Sequence, residues 1–247
     1  LAMCRLMGYV SNAEHTVSEM AGSDFAQFSA LSAKHGDGWG IASIDNSNQT
    51  HLIVEPSRAK DSEKFAEITK SLKSDGALLH LRWATLGLGI NEGNTHPFSY
   101  KDISFIHNGG VMPPSSLDPF VASKFKSQMR GDTDSEKYFF NIVTQIEKLG
   151  LIDGVLTAVR NIKNNLTYSS INAMLLTPEK YVVVCEHNNE KIPEGEGSDY
   201  YELYYRKDEM GILVSSTGWN QTGWTLIPNH SVVVIDRKNF TIELISL

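Results

Sequence analysis

Cys4 is the residue whose chemistry depends most on its position, because it directly follows Met3. If Leu1, Ala2 and Met3 are absent from the mature protein, Cys4 carries a thiol and a free α-amine on one carbon atom. An unperturbed thiol has a pKa of about 8.5 and an α-amine one of about 7.7–8.0, so roughly a tenth of such amines can accept the thiol proton near neutral pH. Cys4 is therefore a candidate nucleophile that carries its own base. The alternative is an initiator methionine beside an ordinary apolar cysteine.

Arg82 is a second candidate, because it stands at the end of an apolar strand in the segment His80-Leu81-Arg82-Trp83-Ala84-Thr85. A guanidinium at a strand end presents a rigid fork of N–H groups that suits a carboxylate. The alternative is an arginine that pairs with an acid at the protein surface.

Asn108 and Gly109 follow a predicted strand, in Ile106-His107-Asn108-Gly109-Gly110. A strand that breaks into Asn-Gly-Gly can place a side-chain amide N–H beside a backbone N–H. This is the pair of donors that an oxyanion hole requires. The alternative is a plain Asn-Gly turn.

Residues 131–136 form a fourth segment of interest, with acids at 132, 134 and 136. Asp132 or Thr133 can cap a helix, and acids in its first turn are favoured by the helix dipole. Alternatively, an acid here receives an ammonium group. The four segments together supply a nucleophile, a carboxylate clamp, an oxyanion hole and an ammonium acceptor. That set of groups suits an α-amino acid whose side chain ends in an amide, which is glutamine.

Composition and charge exclude several classes of protein. The chain has 247 residues, of which 41% are hydrophobic, and no linker-like stretch divides it, so we expect one domain over residues 1–247. The formal net charge of −7 argues against binding to a nucleic-acid backbone. No apolar run approaches the ~20 residues that span a bilayer, and no secretory signal is visible. With two cysteines, the chain is predicted to be a reduced, cytoplasmic protein.

No cofactor is expected from the sequence. The glycines of residues 36–40 have the wrong spacing for a dinucleotide fingerprint or a phosphate-binding loop. His80, His96 and His107 have no Cys, Asp, Glu or second His within two residues, so they form no compact metal motif. Cys185 ends an apolar run and is predicted to be a buried strand residue.

Hydrophobic periodicity predicts both helices and strands. The predicted helices lie at 23–34, 61–73, 115–128, 134–149 and 151–164. The predicted strands lie at 4–10, 41–44, 77–83, 103–107, 170–176, 180–186, 200–206, 211–216, 231–236 and 240–245. Adjacent strand pairs joined by short turns favour antiparallel sheets with helices packed outside them, which is an α+β layered domain.

The chemical segments together resemble the class II glutamine amidotransferases, N-terminal-nucleophile hydrolases whose catalytic Cys follows the initiator Met. The β-rich C-terminal third resembles the stand-alone branch, which includes the γ-glutamyl amidohydrolase of ergothioneine biosynthesis. Six segments match in the order of the family: Met3-Cys4-Arg5-Leu6, His35-Gly36-Asp37-Gly38-Trp39-Gly40, His80-Leu81-Arg82-Trp83-Ala84-Thr85, Asn94-Thr95-His96-Pro97-Phe98, His107-Asn108-Gly109 and Thr133-Asp134-Ser135-Glu136.

The resemblance implies a four-layer αββα sandwich of two antiparallel sheets and assigns roles to individual residues. Cys4 would attack the side-chain carbonyl, with its own amine as base and then acid. Asn108 and Gly109 would hold the oxyanion. Arg82 would bind the α-carboxylate of the substrate, and Asp134 its α-ammonium group.

Further residues are implied with less specific duties. Trp83, Thr85 and His96 belong to the substrate-pocket motifs of the family, and the Asp37-Gly38 turn is expected near the nucleophile. Many members linked to sugar phosphates have His where this chain has Leu86, which weakens any inference about a sugar acceptor. Residues 1–3 are compatible with an alternative start, a propeptide or residues added on cloning.

The sequence thus predicts hydrolysis of glutamine or another γ-glutamyl amide through a γ-glutamyl thioester, with release of glutamate and ammonia or an amine. Neither a metal nor an organic cofactor, a nucleic acid or a membrane is expected to take part. The acceptor of ammonia would be a separate synthase subunit, or water would be the only acceptor of the γ-glutamyl group. The alternative is a catalytically silent module that binds glutamine or a γ-glutamyl compound and has a blocked N-terminus.

Overall fold

A computed structural model describes residues 4–84 and 87–247. This part of the chain forms thirteen strands, five α-helices and six short 3₁₀ segments. The strands are β1 (Arg5–His15), β2 (Gly38–Ile44), β3 (Thr50–Glu55), β4 (Ser74–Arg82), β5 (Phe98–Tyr100), β6 (Ile103–Met112), β7 (Thr167–Leu176), β8 (Lys180–Cys185), β9 (Leu203–Lys207), β10 (Gly211–Ser216), β11 (Thr225–Ile227), β12 (Ser231–Asp236) and β13 (Ile242–Ser246). The helices are α1 (Val17–Ala21), α2 (Asp24–Ala30), α3 (Glu63–Ser71), α4 (Asp134–Leu149) and α5 (Leu151–Asn165).

The strands form two antiparallel sheets. The first sheet has seven strands in the order β11-β9-β10-β1-β4-β2-β3, and the second has six in the order β13-β12-β8-β7-β6-β5. Strand β1, which follows Cys4, pairs with β4 on one side and with β10 on the other. The strand that carries the candidate nucleophile is therefore in the interior of its sheet.

Apolar side chains on alternate faces of the strands build three cores. Leu6 faces the core between the two sheets, and its neighbour Met7 faces the core under α1, α2 and α3. A third core lies between the second sheet and helices α4 and α5, with Phe105 and Tyr138 among its members. The layers are therefore helices, sheet, sheet and helices, which confirms the predicted αββα sandwich.

Helix α4 confirms the prediction for residues 134–149. Thr133 is the cap, since its side chain accepts a hydrogen bond from the Glu136 backbone nitrogen at 3.1 Å. The predicted helix over 115–128 is wrong: this stretch forms two 3₁₀ segments, Pro114–Phe120 and Ser123–Gln128. Prolines at 113, 114 and 119 remove backbone donors, so a continuous α-helix is disfavoured.

Strand β6 also differs from its prediction. It does not stop at His107 but continues through the Asn-Gly-Gly stretch to Met112. Its pairing with β7 shifts register between Gly109 and Val111, so the predicted break is a bulge within a continuing strand. None of the helices in residues 4–84 and 87–247 is long and apolar enough to cross a membrane.

Candidate active site

The nitrogen of Cys4 is held by the opposite sheet. It donates a hydrogen bond to the Oδ1 atom of Asn108 at 2.8 Å. The Nδ2 atom of Asn108 is buried and has no hydrogen-bond partner among the described residues. One end of the Asn108 amide thus positions Cys4, and the other end is a free donor, as an oxyanion hole requires.

Gly109 makes the bulge that follows Asn108 possible. Its φ of +135° is rarely adopted by residues with a side chain, and a Cβ added to it would lie 2.0 Å from the carbonyl oxygen of Ser170. The hydroxyl of Ser170 donates to the carbonyl oxygen of Asn108 at 2.9 Å. Strand β7 therefore fixes the backbone that carries the amide of Asn108.

The thiol of Cys4 is buried in the protein. Cys4 is 2% exposed, and its Sγ donates to the carbonyl oxygen of Trp83 at 3.9 Å. Burial raises the pKa of the thiol to about 11, although the nearby Arg82 guanidinium opposes this shift. The thiol is consequently protonated at neutral pH, and attack on a carbonyl needs a base that removes its proton.

The predicted turn at Asp37 supports the end of β4. The backbone nitrogen of Asp37 donates to the carbonyl oxygen of Arg82 at 2.9 Å, and its carboxylate accepts from the nitrogen of Ala84 at 2.8 Å. These two bonds fix the chain on either side of Trp83, whose carbonyl contacts the thiol. The Asp37-Gly38 turn thus lies next to the nucleophile.

The guanidinium of Arg82 has a hydrogen-bond donor that no described residue uses. Its Nη2 atom donates to the carbonyl oxygen of Gly89 at 3.1 Å, and its Nη1 atom is buried without a hydrogen-bond partner. Among the described residues, no carboxylate lies within ion-pair distance of it. Such a cation can accept the carboxylate of a ligand.

Asp134 lies at the start of α4 and is 6% exposed. One of its carboxylate oxygens accepts from the nitrogen of Val111 at 2.8 Å, just beyond the bulge of β6. The carboxylate is also close enough to Cys4 to raise the pKa of the thiol. The structure therefore brings Asp134 to the same site as Cys4, Asn108 and Arg82.

Three buried histidines lie close together near Asn108. The rings of His80 and His96 stack at 4.1 Å, and His107 lies 6.5 Å from His96. The Nε2 atom of His80 forms a hydrogen bond with the carbonyl oxygen of His107 at 3.2 Å. The Nδ1 atom of His107 forms one with the hydroxyl of Ser135 at 2.9 Å. Burial lowers the pKa of all three, for His80 to about 3, so the rings are neutral at pH 7.

These histidines do not form a metal site. Within residues 4–84 and 87–247, no group of three His, Cys, Asp or Glu side chains is arranged to hold a metal ion. His96 is 3% exposed, with its ring against His80 and Phe98 and both ring nitrogens unpartnered. Cys185 is also buried and, like Cys4, forms no disulfide.

The remaining predicted residues are Trp83 and Thr85. The Trp83 ring contacts the ammonium group of Lys34 at 4.9 Å and the ring of His35 at 5.6 Å. Thr85 lies outside the described residues, as do Leu86 and residues 1–3.

Sequence reasoning missed three buried side chains beside Cys4. They belong to Arg5, Tyr200 and Tyr201, and each is less than 5% exposed. The sequence predicts a strand over 200–206 that includes both tyrosines, whereas β9 begins only at Leu203. The available signal was the pair of adjacent tyrosines, which is common in buried strands and therefore does not indicate a site by itself.

The chain is similar to known proteins in both sequence and fold. Residues 3–192 match the protein family described as glutamine amidotransferases class-II. The probable glutamine amidotransferase DUG3 of Saccharomyces cerevisiae is 22% identical over 287 residues, covering 97% of this chain and 80% of the yeast protein. The glutamine–fructose-6-phosphate aminotransferase (isomerizing) of Francisella tularensis is 31% identical over 103 residues, covering 40% of this chain but 16% of that longer protein.

A solved structure shares the fold over the full length. It is that of a glutamine aminotransferase class-II domain protein from Silicibacter pomeroyi, with a TM-score of 0.69, 16% identity and 99% coverage of both chains. The sequence match of the family extends over well more than half of this chain. The chain belongs to the class-II glutamine amidotransferases, a family whose members hydrolyse the side-chain amide of glutamine.

Proposed function

We propose that this protein hydrolyses glutamine or another γ-glutamyl amide through a γ-glutamyl thioester on Cys4. The observation that carries the proposal is the pair formed by Cys4 and Asn108. The nitrogen of Cys4 donates to Oδ1 of Asn108 at 2.8 Å, while the Nδ2 donor beside it has no partner among the described residues. Nucleophile, candidate base and oxyanion donor therefore meet at one point.

The base in this proposal is the α-amine of Cys4, which is free when the chain begins at this residue. The thiol has a pKa raised to about 11, so it must lose its proton during the attack. The amine would take that proton while Asn108 orients the nitrogen, and the sulfur would attack the amide carbon. The amide N–H of Asn108 and the backbone N–H of Gly109 would stabilise the oxyanion.

Collapse of the tetrahedral intermediate breaks the C–N bond. The ammonium group on Cys4 returns its proton to the leaving nitrogen, which departs as ammonia or an amine. A water molecule, deprotonated by the same α-amine, then attacks the thioester, and glutamate and the free thiol are released.

The glutamyl part of the substrate would be held at both of its charged ends. Arg82 would bind the α-carboxylate, since its guanidinium is buried with an unpartnered Nη1. Asp134 would bind the α-ammonium group, with Trp83, Thr85 and His96 completing the pocket. The proposal therefore requires a free α-amino acid group at one end of the amide.

We also propose that residues 1–247 act as a single amidotransferase domain, beyond the matched residues 3–192. The support is that later strands complete both sheets: β10 pairs directly with β1, and β12 pairs with β8. The acceptor of ammonia would be water or a separate synthase subunit. The sequence motifs add support from their resemblance to the stand-alone branch, which includes the γ-glutamyl amidohydrolase of ergothioneine biosynthesis.

The proposal is tested with protein that begins at Cys4, as verified by intact mass. We expect release of glutamate from glutamine or a γ-glutamyl amide, and loss of turnover by orders of magnitude in Cys4→Ser with substrate binding retained. A diazo-ketone analogue of glutamine should label Cys4 and leave Cys185 unmodified. Binding without any turnover in the unsubstituted protein would instead support the catalytically silent module.

A further inference from the structure

The peptide that joins His107 to Asn108 is held from the opposite sheet. Its carbonyl oxygen, on His107, lies 3.2 Å from the Nε2 atom of His80. His80 is on β4 of the first sheet, whereas His107 and Asn108 are on β6 of the second. The nitrogen of this same peptide belongs to Asn108, whose side chain contacts the nitrogen of Cys4. His80 is therefore one peptide unit away from the candidate oxyanion donor.

This contact determines which ring nitrogen of His80 carries the proton. A carbonyl oxygen can only accept a hydrogen bond, so the Nε2 atom of His80 must be protonated and must be the donor. Burial lowers the pKa of the ring to about 3, so at pH 7 the ring is neutral and carries a single N–H group. Its Nδ1 atom is then unprotonated, and it has no hydrogen-bond partner among the described residues. The only donor of this side chain is thus used on the His107–Asn108 peptide.

Packing holds the His80 ring in this orientation. His80 is completely buried, and the ring of His96 stacks on it with 4.1 Å between the ring centres. Gly40, which pairs with His80 across β2 and β4, leaves room for the backbone of His96, since a Cβ added to it would lie 2.1 Å from the carbonyl oxygen of His96. Both ring nitrogens of His96 lack partners among the described residues. His96 therefore packs against His80 without competing for its hydrogen bond.

Other contacts of this segment come from within the second sheet. The Nε2 atom of His107 lies 3.2 Å from the carbonyl oxygen of Ser170, and the Ser170 hydroxyl donates to the carbonyl oxygen of Asn108 at 2.9 Å. These bonds fix β6 to its neighbour β7. The bond from His80 comes from the first sheet, whose strand β1 directly follows Cys4. It therefore fixes Asn108 relative to the nucleophile.

We propose that His80 is a positioning residue for the reaction: its Nε2–H group holds the His107–Asn108 peptide so that the amide of Asn108 meets both the nitrogen of Cys4 and the oxyanion. This inference rests on the proposed function and adds a residue that acts through Asn108 rather than on the substrate. An oxyanion donor is effective when it is fixed before the charge develops. Loss of the His80 bond would let the peptide rotate and would misplace the donor, with little effect on the groups that bind the charged ends of the glutamyl part.

The test compares two substitutions of His80 in protein that begins at Cys4. His80→Leu has a similar volume but no donor, so kcat for glutamine should fall roughly ten- to hundredfold while KM changes by less than about threefold. His80→Gln keeps an N–H donor at a similar reach and should recover most of the lost rate. Ser74→Ala is the control, because Ser74 is also buried on β4 and donates to the carbonyl oxygen of Ile44 at 2.7 Å, at the end of the strand away from Arg82. It should lower stability and leave kcat unchanged.

A double-mutant cycle shows whether His80 acts through Asn108. In an Asn108→Ala background the amide is absent, so His80→Leu should lower kcat by no more than about twofold further. Equal fold losses in the two backgrounds would overturn the inference, because His80 would then act elsewhere. A loss in His80→Leu that lies entirely in KM, or one that His80→Gln does not reduce, would overturn it as well.

Nitrogen NMR of histidine-labelled protein gives a readout that does not depend on turnover. At pH 7 the His80 resonances, identified by their loss in His80→Gln, should show a protonated Nε2 and an unprotonated Nδ1 atom. A ring protonated at Nδ1 would overturn the inference and leave the proposed function standing. Absence of hydrolysis of glutamine and of γ-glutamyl amides by the unsubstituted protein would instead refute the proposed function, and the role of His80 in the reaction with it.

Discussion

The nitrogen of Cys4 and the side-chain oxygen of Asn108 are 2.8 Å apart, although 104 positions separate the two residues in the chain. The bond connects the first strand of one sheet with a bulged strand of the other. It places the unpartnered amide nitrogen of Asn108 beside the thiol. The two sheets must therefore pack correctly before the candidate site exists at all.

Replacing Asn108 should lower the turnover rate more than substrate affinity. Asn108→Asp keeps an oxygen acceptor for the nitrogen of Cys4 but removes the donor and adds a charge that repels an oxyanion. We expect kcat to fall by about 10²–10³-fold with a small change in KM, as for other oxyanion donors. Steady-state kinetics would measure this, with the exposed Asn165→Ala as a control that keeps wild-type rates. Unchanged kcat in Asn108→Asp would exclude its role as donor.

Gly109→Ala should destabilise the fold as well as the site. The added Cβ would meet the carbonyl of Ser170 at 2.0 Å, and φ is +135°. Gly150→Ala is the matched comparison, because Gly150 also has positive φ (+84°) but nothing within 4 Å of the added atom. We expect about 1 kcal/mol of destabilisation for Gly150→Ala and clearly more for Gly109→Ala. Urea unfolding of both variants measures the difference, and equal losses would mean that the strand relaxes freely.

Arg82→Lys should weaken substrate binding although it preserves the charge. A lysine cannot reproduce the two-pronged contact with a carboxylate, so KM for glutamine should rise roughly 10- to 100-fold. Asp134→Asn keeps an oxygen for the nitrogen of Val111 but loses the charge, and it should act in the same direction. If both variants bound glutamine as tightly as the wild type, the substrate would not be held as an α-amino acid.

The buried histidines predict a loss of stability in acid. Burial lowers the pKa of His80 to about 3 and also lowers that of His96 and His107. Above about pH 6.5 these rings are neutral in both states. As the pH falls from about 6.5 toward 3, the unfolded chain binds protons that the folded His80 does not, so the free energy of unfolding decreases. His80 alone should account for about 2 kcal/mol between pH 7.5 and pH 5.

Urea unfolding at pH 7.5 and pH 5 checks this prediction. His80→Gln should show a smaller drop in unfolding free energy than the wild type over this interval, whatever its stability at pH 7.5. His51→Gln is the control, since its exposed ring pairs with Asp45 at the surface. An identical drop in His80→Gln and wild type would contradict a neutral, buried His80.

The layered fold was predictable, and so were the positions of some candidate site residues, because these signals are local. Helix α4 carries its cap at Thr133 and an apolar face, and Arg82 stands at the end of a strongly apolar strand. The bulge at Gly109 was not predictable, since it depends on Ser170, which approaches from another strand. The predicted helix over residues 115–128 is wrong because the prolines at 113, 114 and 119 disfavour a continuous α-helix.

The positions of Arg5, Tyr200 and Tyr201 beside Cys4 could not be derived from the sequence. Arg5 lies in a strand whose apolar neighbours predict burial. Nothing in the nearby sequence shows that its guanidinium has no carboxylate partner. Asn172, on β7, and Thr217, directly after β10, hold the backbone of the two tyrosines near Cys4. Contacts of this kind join distant segments and leave no periodic pattern.

The central claim is that the α-amine of Cys4 is the base that activates its thiol. It is tested most directly by comparing two mass-verified preparations with matching circular dichroism, one beginning at Leu1 and one at Cys4. In the longer chain the nitrogen of Cys4 is an amide without a basic lone pair, and the thiol pKa of about 11 leaves almost no thiolate. We expect the chain that begins at Cys4 to hydrolyse γ-glutamyl amides about 10²–10⁴-fold faster. Equal rates from the two preparations would contradict the account, because another residue would then have to be the base.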